Sequence, residues 1–515
     1  MKVRLAQCSV LVLMVAAFGC SNDDTDFSDN NHAWESTHRP LHHFHFPATL
    51  LEDALKRQNI PGPRAQAMTA QLETFLAGFD QPIAQPNGVS TISSEHAALE
   101  GSVRAKLNAA GGISSFELPS SLDFGSIPQD PNNPVDVWRV TLGALLFHET
   151  AIGTRARNPA GNQTYSCATC HNAAAGFQAN RRQGIGDGGL GFATRSKSDL
   201  YDSFDVDVQP IRTPSSMNTA YQELMLWNGS LGSTGDNVST FPQWVQNSPM
   251  QRNNLGFQGL ETQAIAGQGV HRQHIEFSML QAMPMYRALF ELAFPNEAPS
   301  ARMNTINSGL AIAAYERVTL ANQSPWQRWL KGDRMALTTQ QLRGADVFFG
   351  AANCASCHSG PALNSMSFHG LAMGDLEGTD LLGSTQRNPD RRGRGGFTAR
   401  AVDQYKFKTP QLYNLVDSPF YGHGATFTSV RQVVDYKNAA VPQKPDVPFF
   451  QISPQFTPLG LSVDQREDLT VFLEGALRDP NLKRFEPATL PSGLCVVNND
   501  HPSRTDLNCG PSFEY

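Results

Sequence analysis

The sequence predicts a mainly α-helical protein in which two similar units follow one another, with loop-rich extensions. Two helix starts carry a capping box, a hydroxyl residue followed three positions later by glutamine, at Thr338 and Gln341 and at Ser462 and Gln465. Alternation of polar and apolar residues, which marks a half-buried strand, is scarce. A third observation, the repetition of one cysteine motif, predicts the tandem order.

The repeated motif reads Cys-Ala-Thr-Cys-His at residues 167–171 and Cys-Ala-Ser-Cys-His at residues 354–358. This is the attachment motif of c-type haem, because two nearby thiols can add to the haem vinyl groups while the adjacent histidine binds the iron. Four thiolates around zinc are the main alternative, but zinc does not require the histidine that both copies carry. The sequence therefore predicts two covalent haem c groups, held by Cys167, Cys170, His171, Cys354, Cys357 and His358.

A helix that carries a glycine four residues before a phenylalanine precedes each motif. The pairs are Gly143 with Phe147 and Gly344 with Phe348. A glycine at this place allows two helices to cross closely. The motifs lie far enough apart for one haem in each of two cytochrome c-like domains. The predicted divisions are a signal peptide at 1–19, a tether and N-terminal extension at 20–134, a first haem domain at 135–335, a second at 336–480, and a tail at 481–515.

The N-terminus predicts export. Lys2 and Arg4 precede an apolar stretch that ends near Gly19, as in a secretory signal. The Gly19–Cys20 junction resembles a lipoprotein cleavage site, so we expect lipid attachment at Cys20, with Ser21 favouring the outer membrane. Ordinary secretion is the alternative. Both interpretations place the mature chain in the periplasm or cell envelope.

Charge and cysteine use narrow the choice of partners. The 515 residues include 40 Lys and Arg against 47 Asp and Glu, and no basic stripe is visible, which argues against nucleic acid. Cys495 and Cys509 lie in a polar, turn-rich tail of an exported chain, where disulfides persist. We therefore expect these two cysteines to form a disulfide.

Further phrases follow the two motifs in a consistent order along the chain. They lie at residues 142–147, 212–218, 227–229, 261–264, 313–317, 406–414 and 421–423. With these phrases the chain resembles the bacterial diheme cytochrome c peroxidases, a family that includes the MauG-type enzymes, from about residue 135 to about residue 480. The resemblance implies reduction of hydrogen peroxide at the first haem, with electrons relayed through the second from a periplasmic donor such as a small cytochrome or cupredoxin.

Three other functions stay open at this point. They are MauG-like oxidation of a protein or small-molecule partner, oxygenation of the rubber-oxygenase type, and electron transfer without catalysis. Many peroxidases of the family carry a Gly-His loop soon after the first haem, and that histidine must leave before peroxide binds. No histidine occurs between His171 and His271 here. The resemblance therefore implies a first haem that is open in its resting state.

The resemblance also proposes catalytic residues. A glutamine and then a glutamate occupy the helix and loop on the peroxide side of the family's first haem. Gln263 matches the glutamine, and Glu276 resembles the glutamate but sits later in the chain. His271 therefore competes with Glu276 for the role of acid and base. Trp227 matches a tryptophan that lies between the two haems.

The sixth ligand of the second haem is a methionine in the peroxidases and a tyrosine in MauG-type enzymes. The equivalent place falls at Lys437, next to Tyr436, and no methionine follows Met373. Tyr436 is the favoured ligand, with Lys437, another residue such as His423, or no ligand as alternatives. An oxygen ligand would give this haem a lower potential than a thioether.

A calcium ion lies between the haem domains of many family members. Asn218, Asp417 and Pro419 match the positions of its ligands, and a carboxylate at 417 would suit calcium. An ordinary turn is the alternative. Residues 230–259 form an insertion relative to the family, for which a lid, a partner surface and a plain surface loop are the interpretations.

Overall fold

A computed structural model describes residues 44–82, 91–192, 194–275, 277–383 and 388–509. The expected signal peptide, Cys20 and nearly all of the expected tether lie outside these residues, and so does Glu276. Within the described ranges, none of the helices combines the length and the apolar character that crossing a membrane would need.

The predicted mainly helical fold is confirmed. The α-helices of the described residues are α1 Ala48–Arg57, α2 Gly62–Ala77, α3 Ser94–Ala109, α4 Val137–His148, α5 Gly259–Val270, α6 Phe277–Ala282, α7 Pro284–Ala293, α8 Thr305–Val318, α9 Pro325–Leu330, α10 Thr339–Phe348, α11 Arg394–Thr398, α12 Val430–Ala439, α13 Val463–Val471 and α14 His501–Asp506. Two short antiparallel ladders pair β1 Gly189–Leu190 with β2 Ser196–Lys197 and β3 Phe368–His369 with β4 Phe407–Lys408.

Helices α4 and α8 form the central packing of the first half of the chain. The N-cap of α4 is Asp136, whose carboxylate accepts hydrogen bonds from the amides of Trp138 and Arg139. A Cβ atom added to Gly143 would lie 1.9 Å from the carbonyl oxygen of Ala311 on α8. The two backbones therefore touch at this glycine, and any side chain there would force the helices to shift.

The second half repeats this arrangement with α10 and α13. Thr338 and Ser462 cap these helices, and both capping boxes predicted from the sequence are formed. A Cβ atom on Gly344 would lie 2.0 Å from the carbonyl oxygen of Asp468 on α13. The internal repeat is thus a repeat of one close helix crossing.

The N-terminal extension packs on both helix systems. Helix α1 contacts α7, which also contacts α4, and α3 contacts α10. Helix α5 packs along α8 and is fixed there by a fully buried ion pair, in which the Arg317 guanidinium donates at 2.8 and 2.7 Å to the two carboxylate oxygens of Glu261. In the tail, Cys495 and Cys509 form a disulfide with a Cα–Cα distance of 5.8 Å.

Candidate haem-binding sites

Both cysteine motifs adopt the same local backbone. Each begins with a single 3-10 turn, over Cys167–Thr169 and over Cys354–Ser356. The amide of His171 donates to the Cys167 carbonyl at 3.0 Å, and the amide of His358 donates to the Cys354 carbonyl at 2.9 Å. The two motifs therefore present their thiols and histidine from equivalent turns.

The two motif histidines have their ring nitrogens fixed in the same way. Nδ1 of His171 lies 3.2 Å from the carbonyl oxygen of Phe177, and Nδ1 of His358 lies 3.1 Å from the carbonyl oxygens of Leu363 and Pro410. A carbonyl only accepts, so Nδ1 carries the proton and Nε2 keeps its lone pair for a metal. Burial lowers the pKa of both imidazoles to about 4, which keeps them neutral.

A cavity of about 310 Å³ opens beside the second motif. Its volume lies at the lower end of the roughly 300–1,000 Å³ typical of ligand pockets, and its walls are mainly apolar. The thiols of Cys354 and Cys357 and the ring of His358 line it. Helix α12 contributes one face, formed by Val430, Val433, Val434 and Lys437. These residues fit a covalently attached haem with His358 as its proximal ligand.

Tyr436, the expected sixth ligand, points elsewhere. Its hydroxyl donates to the carbonyl oxygen of Leu371 at 2.6 Å, and its ring packs between Phe427 and Phe456 with centroid distances of 5.1 Å. The neighbouring Lys437 lines the cavity instead. Burial lowers the pKa of the Lys437 amine to about 8, which makes the neutral amine accessible near neutral pH.

His423 and Met373 also line this cavity. Nε2 of His423 lies 3.1 Å from Oδ1 of Asp375, whose other oxygen accepts from the Lys444 amine at 2.5 Å. The His423 ring stacks on Phe407 at a centroid distance of 3.7 Å. His423 is therefore held in the cavity wall, whereas Met373 offers a thioether.

The surroundings of the first motif carry buried donors that need an acceptor. A Cβ atom on Gly184 would lie 2.8 Å from Oγ1 of Thr213 and 3.0 Å from Sγ of Cys170, so the three residues converge. Oγ1 of Thr213, Nε of Arg181 and Nδ2 of Asn172 are buried and have no hydrogen-bond partner among the described residues. Haem carboxylates are acceptors of the required kind. These residues fit a haem held by Cys167, Cys170 and His171.

His271 meets a carboxylate beside the first motif. Its Nδ1 lies 3.1 Å from Oδ2 of the buried Asp207, and its Nε2 lies 3.4 Å from the side-chain nitrogen of Gln209. The next residue but one, Gln273, accepts from the Cys167 thiol at 3.2 Å. Sequence reasoning missed Asp207 and Gln209, because no motif or spacing distinguishes them.

These contacts define the protonation state of His271. An amide nitrogen only donates, so Nε2 accepts from Gln209 and the proton sits on Nδ1, facing Asp207. Burial lowers the pKa of His271, but the charge and hydrogen bond of Asp207 raise it further, so it lies above its ordinary value. Burial is the main cause that lowers the pKa of His171, and the charge of His271 lowers it further.

Gln263 lies on the same side of α5 as His271. A Cβ atom on Gly267 would lie 3.8 Å from Nε2 of Gln263 and 3.9 Å from Cδ2 of His271. The glycine thus leaves both side chains free to face one space. Glu276, the other predicted acid and base, lies outside the described residues.

Trp227 connects the surroundings of the two motifs. Its ring lines the cavity of the second motif, and its Nε1 donates to the carbonyl oxygen of Arg212 at 2.8 Å. The amide of Arg212 donates to the carbonyl oxygen of His423 at 2.8 Å. The next residue, Thr213, lies near Cys170 of the first motif. Hydrogen bonds and backbone therefore lead from Trp227 and His423 at the second cavity to Thr213, which lies near the first motif.

The residues expected around calcium have protein partners. Oδ1 of Asn218 accepts from the amide of Ala321 at 2.9 Å. Asp417 forms an ion pair with Arg478, whose Nε donates to Oδ1 at 2.8 Å, and Pro419 is exposed. Asn218 and Asp417 thus direct their side chains at different groups of the chain.

The tail packs against the first motif, which the sequence did not indicate. The hydroxyl of Ser166 donates to the carbonyl oxygen of Val497 at 2.9 Å. Arg195 forms a buried ion pair with Asp500 at 3.0 Å. Residues beyond the second helix system therefore return to enclose the first site.

Comparisons with known proteins agree with this geometry. Residues 138–335 match the model of the di-haem cytochrome c peroxidase family. The methylamine utilization protein MauG of Methylorubrum extorquens is 27% identical over 358 residues, which cover 69% of this chain and 82% of that protein. The cytochrome-c peroxidase IdrP1 of a Pseudomonas species is 26% identical over 385 residues, covering 71% of this chain and 87% of that protein.

A solved structure shows the same fold. It is a MauG-like protein associated with microbial copper homeostasis, 21% identical, with a TM-score of 0.51, and the match covers 72% of this chain and 99% of that one. The relatives support an oxidoreductase with peroxidase activity and two c-type haems. The family-model match and these relatives together support a protein of the diheme cytochrome c peroxidase and MauG family.

Proposed function

We propose that this protein is an exported peroxidase that reduces hydrogen peroxide at its first haem and receives electrons through its second. The observation that carries this proposal is the pair of His271 and Asp207 beside the first motif. Peroxide takes up two electrons and two protons and yields two molecules of water. The bound haem supplies the iron that accepts peroxide and exchanges its electrons, and the chain supplies the protonic groups.

His271 is the proton carrier in this proposal. Its Nε2 has a lone pair and takes the proton that peroxide loses on binding. Asp207 accepts the hydrogen bond of Nδ1 and stabilises the imidazolium that forms. The same proton then returns to the leaving oxygen. Peroxide displaces the Gln209 amide, which donates to Nε2 of His271 in the absence of substrate. The side-chain amide of Gln263 orients the peroxide.

Trp227 is the proposed intermediate site for electron transfer between the two haems. Its indole lies in the wall of the second cavity and bonds the backbone that leads to Thr213 and the first motif. An aromatic ring between two redox groups shortens the distance of each electron transfer. The electron donor is a small periplasmic cytochrome or cupredoxin that delivers electrons to the second haem.

Steady-state turnover tests the function. We expect peroxide-dependent oxidation of a reduced small cytochrome or cupredoxin, with two donor molecules consumed for each peroxide. His271→Ala should abolish most of this turnover, and Gln432→Ala, an exposed change on α12, should not. Donor oxidation that is independent of peroxide would mean that the protein is an electron carrier. Donor oxidation at the parent rate by His271→Ala would reject the assigned base.

MauG-like oxidation of a partner is the second candidate. It is favoured by the absence of histidine between His171 and His271, which implies a first haem accessible to peroxide without prior reduction. In that case peroxide would be consumed without a reduced donor once the true partner is added. Measured stoichiometry of donor to peroxide separates the two functions.

The cellular location is part of the proposal. A cleaved signal with lipid on Cys20 would anchor the protein in the outer membrane facing the periplasm. Cys20→Ser should move the protein from the membrane fraction to the soluble periplasm. An unchanged distribution would reject the anchor. The division into haem domains at 135–335 and 336–480 belongs to the same proposal and is testable by limited proteolysis.

A calcium ion at Asn218, Asp417 and Pro419 is proposed only from the resemblance. Binding there would require Asp417 to exchange its ion pair with Arg478 for the metal. Elemental analysis after gel filtration in a chelator should show one calcium that Asp417→Ala removes. Calcium-free protein with an intact spectrum and activity would end this part of the proposal.

A further inference from the structure

One face of α12 is directed at the cavity of the second motif. Val430, Val433, Val434 and Lys437 line the cavity, at the spacing of a single helix face. Three of these side chains are apolar, so Lys437 is the ionisable group that the face presents. Tyr436 lies on another side of the helix, with its hydroxyl bound to the Leu371 carbonyl.

We propose that the side-chain amine of Lys437 is the axial ligand of the second haem iron, on the side of the haem away from His358. The proposal rests on haem attachment at the second motif and goes beyond the proposed peroxidase function. When the amine binds, a bond forms between Nζ and the iron, and the proton of the ammonium is released to solvent. No electron is transferred in this step.

Among the described residues, the Lys437 amine faces the cavity without a hydrogen-bond partner. Within the described residues it has neither a hydrogen-bond acceptor nor a carboxylate, and the ring of Phe456 lies 5.9 Å from Nζ. Lys437 is half-buried, and an amine that faces a mainly apolar cavity without a hydrogen-bond partner is costly. The other two lysines in the cavity wall are satisfied, because Lys408 donates to Gln222 and Leu224 at 2.5 Å and Lys444 donates to Asp375 at 2.5 Å.

Other nitrogen groups that line the cavity are engaged to a greater degree than Lys437. Nε2 of His423 is paired with Asp375, and both ring nitrogens of His369 meet serine hydroxyls, at 2.9 Å for Ser367 and 3.1 Å for Ser453. Lys437 has no such engagement to break. Three competitors remain in the same cavity wall. They are His423, whose Nδ1 keeps a lone pair when Nε2 donates to Asp375, Tyr405, whose hydroxyl has no hydrogen bond among the described residues, and the thioether of Met373.

The intact protein decides between amine and thioether. The ferric protein, with lysine carrying heavy nitrogen in its side chain, is studied by pulsed electron paramagnetic resonance without peroxide. We expect a hyperfine coupling from the labelled nitrogen at the low-spin haem, and no near-infrared band of thioether ligation. A thioether band, or a low-spin haem without coupling to the label, would overturn the proposal.

Variants separate ligation from charge. Lys437→Ala and Lys437→Arg should both lose the low-spin signal of the second haem, because a guanidinium keeps the charge but does not bind iron. Tyr436→Phe and Met373→Leu should keep that signal. Loss of the signal in either of these last two, or its retention in Lys437→Arg, would overturn the proposal. Mass spectrometry confirms two haems in each variant before its spectrum is interpreted.

A failed variant does not decide the question alone. If Lys437→Ala does not retain the second haem, the labelled parent protein still gives the answer. Peroxide is absent from all of these measurements, so an inactive peroxidase with a lysine-coupled haem would reject the proposed function and support this ligand. An active peroxidase without that coupling would support the proposed function and reject Lys437 as the ligand.

Discussion

The two motif regions share how a haem would be attached and differ in what faces it. Both use the same turn, a histidine fixed through Nδ1 by backbone carbonyls, and a glycine at a close helix crossing. The first then meets the ionisable pair of His271 and Asp207, and the second meets an apolar face of α12 with Lys437. Attachment is thus encoded locally, whereas chemical difference comes from distant segments.

The polar side of the first region is a connected network. Asp187 accepts from the Tyr201 hydroxyl at 2.5 Å and from the Arg272 guanidinium at 2.6 Å. Arg272 follows His271 directly, and its carbonyl accepts from the Tyr165 hydroxyl at 2.9 Å. Such a network holds the histidine in one position, which a proton carrier needs. In the proposed assignment, the second region would offer the haem iron a ligand, Lys437, in place of a proton carrier.

Replacing His271 should have the largest effect on the difference between the two haem regions. His271→Ala removes the proposed proton carrier, and loss of such a group typically costs on the order of 100- to 10,000-fold in rate. We expect that loss in the reaction of the ferric first haem with peroxide, measured by rapid mixing. Spectra of the second haem should be unchanged. A variant that alters the second haem equally would show that His271 acts through the fold.

Opening the tail disulfide should affect the first region alone. Cys495→Ser removes a cross-link between residues 14 positions apart, which is worth about 3 kcal/mol for a loop of this size. The tail bonds Ser166 and Arg195 beside the first motif, so we expect a lower melting temperature and faster proteolysis there. Cys509→Ser is the matched control and should behave in the same way. If hydrogen exchange showed the same change in protection at both motif regions of Cys495→Ser, this assignment to the first region would be contradicted.

The glycine crossings test what the two regions share. Gly143→Ala and Gly344→Ala each force a methyl group against a backbone carbonyl, at 1.9 and 2.0 Å before relaxation. Overpacking of this kind costs about 1–3 kcal/mol. We expect similar losses of unfolding free energy from the two variants in denaturant titrations. Gly269→Ala, on α5 with open space at its Cβ position, is the control that should be tolerated.

The pH profile gives the smallest and most specific effect. The reaction needs neutral His271, so its rate should rise with pH through the raised pKa of this group. Asp207→Asn removes the charge that raises the pKa, and the rise should therefore move to lower pH. The change in rate caused by Asp207→Asn should be well below the loss of rate in His271→Ala. A profile that does not move would show that Asp207 does not set the pKa of the proton carrier.

Much of the shared architecture was predictable from the sequence. The motifs, the capping boxes at Thr338 and Ser462, and the two glycines are local patterns, and the structure forms each capping box and each close crossing. The disulfide partners Cys495 and Cys509 also lie close together in the sequence. Local patterns need no knowledge of the long-range path of the chain.

The residues that face the two expected haem sites were less predictable from the sequence, for a physical reason. Asp207 and Gln209 contact His271 from a loop that has no periodic sequence pattern, so no spacing in the sequence predicts the contact. Tyr436 and Lys437 are neighbours in sequence, but adjacent residues on a helix point about 100° apart. Counting from the family's ligand position falls at Lys437, but the tyrosine ligand of MauG-type enzymes favoured the neighbouring Tyr436. The phase of α12 turns Lys437 to the cavity and Tyr436 to the Leu371 carbonyl.

We expect the first haem region to react with peroxide through His271. Rapid mixing of the fully ferric protein with peroxide, followed at the haem bands, tests it most directly. We predict a prompt spectral change in the parent protein without prior reduction, and a change slower by about 100-fold or more in His271→Ala. A parent that reacts only after one-electron reduction, or a variant as fast as the parent, would contradict the account.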